Sequence, residues 1–255
     1  MTMTAKRMEY DLAPAIGSRA TLGLVVLQVD ETLEHDFKRM FASPEISLYV
    51  SRIPSGQDLN PDTIATMKTT LPAAAGLLPQ AAQFDVVGYG CTSGTTLIGQ
   101  DKVAELVRSG VACGAVADPL TAALAAMAQL DVQRVGLVTP YVESVSAPVA
   151  QAFANAGLTV CNSVSFAEEE EAKVARIDPA STFAAALAVG QQPEVEAVFL
   201  SCTNLRTFDI IAPLEDRLQK PVVSSNQAMG WQMASLAGCH DICMGPGMLW
   251  QHGPQ

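Results

Sequence analysis

The sequence predicts an α/β protein of two similar lobes, each a four-stranded parallel sheet flanked by helices, with the site in the cleft between them. Three observations carry that expectation. Eight short runs rich in Val, Ile and Leu alternate with Ala-rich, helix-length segments. The runs are apolar almost throughout, which suits parallel strands covered on both faces better than half-exposed ones. A strand-ending Cys-Thr occurs twice, at Cys91-Thr92 and Cys202-Thr203, 111 positions apart.

In chain order, the expected strands of the first lobe are residues 22–29, 46–53, 84–90 and 111–116. Those of the second are 134–139, 158–164, 197–201 and 221–225. Helices are expected near 32–41, 62–82, 96–109, 121–130, 143–156, 179–189, 207–219 and 227–237. Asn60-Pro61-Asp62, Asp118-Pro119 and Asp178-Pro179 supply start signals, because an acidic or amide cap followed by Pro suits a first helical turn. Strand–helix alternation implies right-handed crossovers and a doubly wound architecture. Residues 1–118 form the expected first lobe and 119–223 the second, with 224–255 returning to the first. Residues 1–20 read as a partly ordered lead-in. Ligands in such sheets sit beyond the carboxyl ends of the strands, where Cys91 and Cys202 both fall.

Composition narrows the function. Apolar residues make up 49% of the 255 and charged ones 16%, enough for a large buried core. A net charge of −11 disfavours nucleic acid and anionic membranes as partners. No apolar run reaches the roughly 20 residues that cross a bilayer. The first twenty residues lack the apolar stretch of a secretory signal, so a cytoplasmic location is expected. The six cysteines then read as free thiols. Cys113 and Cys161 fit a core. Cys239 and Cys243 around His240 and Asp241 have poor zinc spacing. No metal is expected, and no organic cofactor. Gly88, Gly90 and Gly94 match neither a dinucleotide fingerprint nor a Walker loop, so ligand approach or a tight turn is the expected reason for them.

The paired Cys-Thr motifs point to chemistry. Each is expected to end a strand and open a helix, whose N-terminus would bias the thiol towards thiolate. Two thiols, one from each half, could face a carbon from opposite sides. Two buried structural cysteines are the plainer alternative, though a repeated motif at strand ends argues against coincidence.

The runs Gly-Tyr-Gly-Cys91-Thr92-Ser93-Gly and Ser-Cys202-Thr203-Asn204, with Thr139-Pro140-Tyr141 between them, resemble the aspartate/glutamate racemase superfamily. Within it the chain is similar to the maleate cis–trans isomerase and arylmalonate decarboxylase branch, and most of all to ectoine-utilisation racemase-like proteins. The resemblance spans residues 22–238. It implies a cofactor-independent enzyme with Cys91 and Cys202 as the catalytic thiols. Thr92, Ser93, Thr203 and Asn204 would be donors to a substrate carboxylate, and Tyr141 an active-site tyrosine. The decarboxylases of this branch keep only the later cysteine. Having both favours isomerisation or racemisation.

Two positions depart from the maleate isomerase pattern. Asp30 stands where those enzymes have an Asn, and Glu171 aligns with a second Asn. Two added carboxylates suit a dicarboxylate poorly, since like charges at about 4 Å repel by about 1 kcal/mol even in water. An amino acid with a cationic amine fits better. Each residue has a plainer reading. Asp30 could simply cap the following helix. Glu171 could end a solvated acidic run, and Tyr141 could pack a strand end. Arg206 could hold a carboxylate or pair with Asp209 or Glu215. The expected function is therefore a two-cysteine amino-acid racemase or epimerase acting on a small carboxylate, in a homo-oligomer. Maleate isomerase, arylmalonate-type decarboxylase and non-catalytic carboxylate-binding protein are the alternatives.

Overall fold

A computed structural model describes residues 5, 7–56 and 61–251. It holds two four-stranded parallel sheets. The first contains β1 (Ala20–Leu27), β2 (Ile46–Ile53), β3 (Phe84–Gly90) and β4 (Cys113–Ala117) in the order β2-β1-β3-β4. The second contains β5 (Arg134–Thr139), β6 (Thr159–Ser165), β7 (Ala197–Leu200) and β8 (Val222–Ser224) in the order β6-β5-β7-β8. The two orders are the same, and every pairing is parallel. The expected fold class is thereby observed. β2, β3 and β5 have the expected bounds, and the other strands differ at their ends by one or two residues.

The helices are α1 (Leu33–Met40), α2 (Pro61–Ala75), α3 (Thr92–Ile98), α4 (Gln100–Gly110), α5 (Pro119–Gln129), α6 (Glu143–Asn155), α7 (Glu171–Val174), α8 (Pro179–Gly190), α9 (Ile211–Leu218), α10 (Ser225–Leu236) and α11 (Met248–Gln251). Three differ from expectation for local reasons. The helix expected over 62–82 stops at Ala75, ahead of Gly76 and Pro79. The one expected over 96–109 begins at Thr92 and is split in two by Gly99, whose φ of 94° the helix cannot continue. The one expected over 207–219 starts as a 3-10 turn, Phe208–Ile210. Asn60 of the expected cap signal lies outside the described residues, whereas Asp118 and Asp178 cap their helices as written.

β1 and β3 lie at the centre of one sheet, β5 and β7 at the centre of the other. Their carboxyl ends lead directly into Asp30, Cys91, Tyr141 and Cys202. Helix α10 packs on α1, α5, β3, β4 and β8, and its first seven residues are all buried. One apolar cluster takes side chains from both lobes, and a second fills the outer part of the second lobe. No helix among the described residues is long and apolar enough to cross a membrane.

Candidate active site

Cys91 caps α3. Its backbone is extended, and its Sγ accepts the Gly94 N–H at 3.1 Å and lies 3.6 Å from Ser93 Oγ. A Cβ on Gly94 would sit 2.6 Å from the Tyr89 hydroxyl and 2.8 Å from Cys91 Sγ, so the glycine is required here. Gly88 and Gly90 have another cause. A Cβ there would strike Met229 and Leu33, so these glycines serve close helix packing and not ligand approach.

Cys202 breaks the expected symmetry. No helix follows it directly. Its φ is 125°, a strained region for a residue with a side chain that costs on the order of 1–3 kcal/mol. The Asn204 N–H reaches back to its Sγ at 3.4 Å, and the Tyr141 hydroxyl lies against the same sulfur. Each thiol is thus backed by a buried tyrosine, Tyr89 on one side and Tyr141 on the other.

The thiols are not biased towards thiolate in the empty site. Burial pushes Cys91 up to about 11, against the help of Ser93 and the Gly94 N–H. Burial and the neighbouring Glu171 push Cys202 well above the ordinary thiol value. The favourable end of a seven-residue helix does not offset full burial.

Three carboxyl groups share this interior, and among the described residues no buried lysine, arginine or histidine accompanies them. Asp30 Oδ1 accepts the N–H groups of Thr32 and Leu33, both at 2.8 Å, as a helix cap should. Its Oδ2 makes no such bond. The Thr203 hydroxyl helps its charged form, but burial raises its pKa on balance. Glu171 is raised to about 7, chiefly by burial and secondarily by Asp30, against a hydrogen bond from Asn204. Asp36 is also raised to about 7 by burial, opposed by a 2.8 Å bond from Asn226 Nδ2.

Several expected donors are already engaged. Asn204 Nδ2 donates to Glu171 Oε2 at 2.8 Å and to its carbonyl at 3.0 Å, and Asn204 Oδ1 accepts the Glu31 N–H. Thr92 Oγ1 pairs with Ser225 Oγ at 2.9 Å, and Thr203 Oγ1 leans on the Gly90 carbonyl at 3.4 Å. The N–H groups of Thr92 and Ser93, in the first turn of α3, have no partner within that helix.

Beside these buried groups, and reaching Asp36, lies a polar cleft of about 360 Å³. First-lobe Glu31, Asp36 and Arg39 and second-lobe Arg176, Arg206 and Asp209 are among its lining residues. Two ion pairs cross it between the lobes, Arg39–Asp209 and Arg176–Glu31. Arg206 is exposed and close enough to favour the charged form of Asp209. Among the described residues no cluster of three or more His, Cys, Asp or Glu could hold a metal ion.

The structure therefore gathers Cys91, Cys202, Tyr141, Asp30, Glu171, Ser93, Thr92, Thr203 and Asn204 around one interior. Sequence reasoning missed Tyr89, Asp36, Ser225 and Asn226. Tyr89 has a signal in hindsight, two residues before the thiol on the same strand. Asp36 has none, because a buried helical acid is written like a solvated one.

A profile of the arylmalonate decarboxylase family matches residues 71–250 of this chain, a span that includes both thiols. The chain belongs to the arylmalonate decarboxylase family. It is an enzyme by that membership, as the sequence led us to expect. It is 29% identical over 227 residues to arylmalonate decarboxylase of Bordetella bronchiseptica, covering 87% of this chain and 92% of that one. Solved structures share the fold. A cysteine-to-serine mutant of Nocardia farcinica maleate cis–trans isomerase, carrying a covalently bound succinylcysteine intermediate, superposes with a TM-score of 0.83 at 22% identity, covering 92% of this chain and 99% of that one. The maleate isomerase of Pseudomonas putida S16 gives 0.80 at 19%, covering 91% and 98%. A liganded double mutant of arylmalonate decarboxylase gives 0.79 at 26%, covering 90% and 98%.

Proposed function

We propose that this member of the arylmalonate decarboxylase family is a cofactor-independent, two-thiol isomerase, a racemase or epimerase of an amino acid. The observation that carries the reading is the pair of buried cysteines at matching strand ends, each backed by a tyrosine and both beside uncompensated carboxyl groups. One thiolate removes the α-proton and the opposite thiol protonates the other face. The enediolate that develops needs donors placed in advance. The N–H groups of Thr92 and Ser93 are the candidates in the first half-site, and that of Thr203 in the second. Tyr141 and Tyr89 stabilise the two sulfurs as they ionise.

Asp30 Oδ2 and Glu171 then receive the substrate ammonium. A cation there relieves the mutual repulsion of the acids and lowers both thiol pKa values, so the empty site rests protonated and ionises when filled. The opposite reading, in which protonated acids donate to a substrate carboxylate, predicts the reverse pH dependence.

The test is α-proton exchange in D₂O, followed by NMR over aspartate, glutamate, other small amino acids and N-acetylated diamino acids. We expect one amino acid to exchange and invert. Its KM should fall as pH rises through about 7, where Glu171 ionises, and Asp30→Asn should raise KM roughly ten- to a hundredfold for a lost charge-assisted bond of roughly 1.5–3 kcal/mol. A KM that rises with pH overturns the ammonium site. Maleate turnover with no amino-acid exchange replaces racemisation with cis–trans isomerisation. CO₂ release from an arylmalonate that survives Cys91→Ser assigns a decarboxylase.

A further inference from the structure

The Ser225 hydroxyl touches both halves of the thiol pair's framework. It opens α10 and is fully buried. Its Oγ accepts the Cys202 N–H at 3.1 Å and lies 2.9 Å from the Thr92 hydroxyl. Cys202 is the strained residue of the second half-site, and Thr92 directly follows the thiol of the first. A positive φ on a side-chain-bearing residue persists only where the surroundings hold it. The bonds on either side of Cys202 are made by Ser201, whose N–H meets the Val138 carbonyl, and by Asn204, whose N–H meets the Cys202 sulfur. Ser225 holds the Cys202 peptide itself. Its neighbour Asn226 adds a 2.9 Å bond to the Thr203 carbonyl, so the start of α10 grips two successive residues of the strained turn.

We propose that Ser225 is a positioning residue, which holds Cys202 in its left-handed backbone conformation and fixes the Thr92 hydroxyl, and so keeps the two thiols in register across the lobe boundary. The proposal rests on the two-thiol reading for its catalytic consequence, but its structural core does not need a substrate. Without the Ser225 hydroxyl, the Cys202 N–H loses its acceptor and the turn can relax to an ordinary φ. The second thiol then leaves its place opposite the first. Binding, which uses the carboxyl groups, is retained while proton delivery fails.

Two measurements test this. The first is a thermal double-mutant cycle that requires no ligand. Glycine accepts a positive φ and alanine does not, so Cys202→Gly should melt several degrees above Cys202→Ala in the Ser225 background. In the Ser225→Ala background that difference should vanish, because the strain has already been released. An equal difference in both backgrounds overturns the proposal. The second is steady-state exchange on the responsive amino acid of the panel above. Ser225→Ala should lower kcat roughly ten- to a hundredfold and leave KM within about twofold, and Ser225→Thr, which keeps the hydroxyl, should recover most of the loss. Unchanged kcat in Ser225→Ala overturns the proposal, as does a threonine variant that falls as far as the alanine one. If Ser225→Ala does not fold, the same cycle run with Ser225→Cys decides: a thiol is a weak acceptor, so the glycine–alanine difference must shrink, and an undiminished difference overturns the proposal. The underlying two-thiol reading fails separately, through activity that survives Cys91→Ser or Cys202→Ser.

Discussion

Glu171→Gln should stabilise the empty protein at alkaline pH while impairing its activity. Glu171 is 2% exposed, and burial is the main reason its carboxyl moves from 4.5 to about 7. The folded pKa lies above the unfolded one, so the fold favours the protonated form. Stability is therefore greatest below about pH 4.5, declines as pH rises through the folded value, and carries the full penalty by pH 8. A carboxyl displaced by that amount represents about 3 kcal/mol. Glutamine keeps the shape and an acceptor for Asn204 Nδ2, now at 2.8 Å, and removes the charge. At roughly 2–4 °C per kcal/mol for a chain of this size, the gain at pH 8 is at most roughly 6–12 °C, with no gain at pH 4. Differential scanning calorimetry at pH 4, 6 and 8 measures it. A shift of equal size at all three would mean that packing, not charge, was altered. A loss of stability at pH 8 would refute the uncompensated buried carboxylate outright.

Other expectations concern the thiols. Cys91→Ser and Cys202→Ser should each abolish turnover with the circular dichroism spectrum unchanged, because a buried hydroxyl cannot serve as the base. Near-normal rates in either would reject paired thiols. In the empty enzyme, iodoacetamide at pH 7 should alkylate the partly exposed Cys161 well before Cys91 or Cys202, as peptide mass spectrometry would show. The raised pKa values call for that order, and rapid loss of the buried pair would contradict them.

The sheets were legible because their strands are apolar on both faces and bounded by caps and glycines, which leaves few alternatives for each run. Strand ends then put Cys91, Cys202 and Asp30 at one edge without any knowledge of packing. What failed was local. The repeat of Cys-Thr suggested two helix starts, but Ser93-Gly94-Thr95 permits a helical turn at the first site while the second runs through Thr203, Asn204 and Leu205 as a turn. Capping and a role in the site are compatible for Asp30, since Oδ1 caps α1 and the cap leaves Oδ2 unused. Asn204 was assigned by its motif to the substrate, yet long-range pairing with Glu171 commits its amide. No sequence pattern reports a contact between residues 171 and 204, and the same holds for Ser225 and Thr92.

The inequality of the half-sites bears on how a reversible enzyme works. Enantiomers have equal free energies, so a two-base racemase is served best by thiols of matched strength in the filled site. In the empty site they are not matched. Cys91 has Ser93, the Gly94 N–H and Tyr89 to favour its thiolate, with Glu171 as a lesser opponent. For Cys202, Glu171 is the largest opponent after burial, and Asp30 adds to it. A cation seated on Asp30 and Glu171 therefore lowers Cys202 more than Cys91. Under the proposed reading, the substrate's own ammonium brings the two thiols together in strength as it binds. Asp30 and Glu171 then have a catalytic consequence as well as a binding one. Without an ammonium Cys202 stays the less readily ionised thiol, so a substrate lacking the amine should exchange its α-proton through Cys91 faster than it inverts. Comparing exchange with inversion for an amino acid and its 2-hydroxy analogue, which keeps the stereocentre but lacks the ammonium, measures that difference, and equal ratios for the two would remove the coupling.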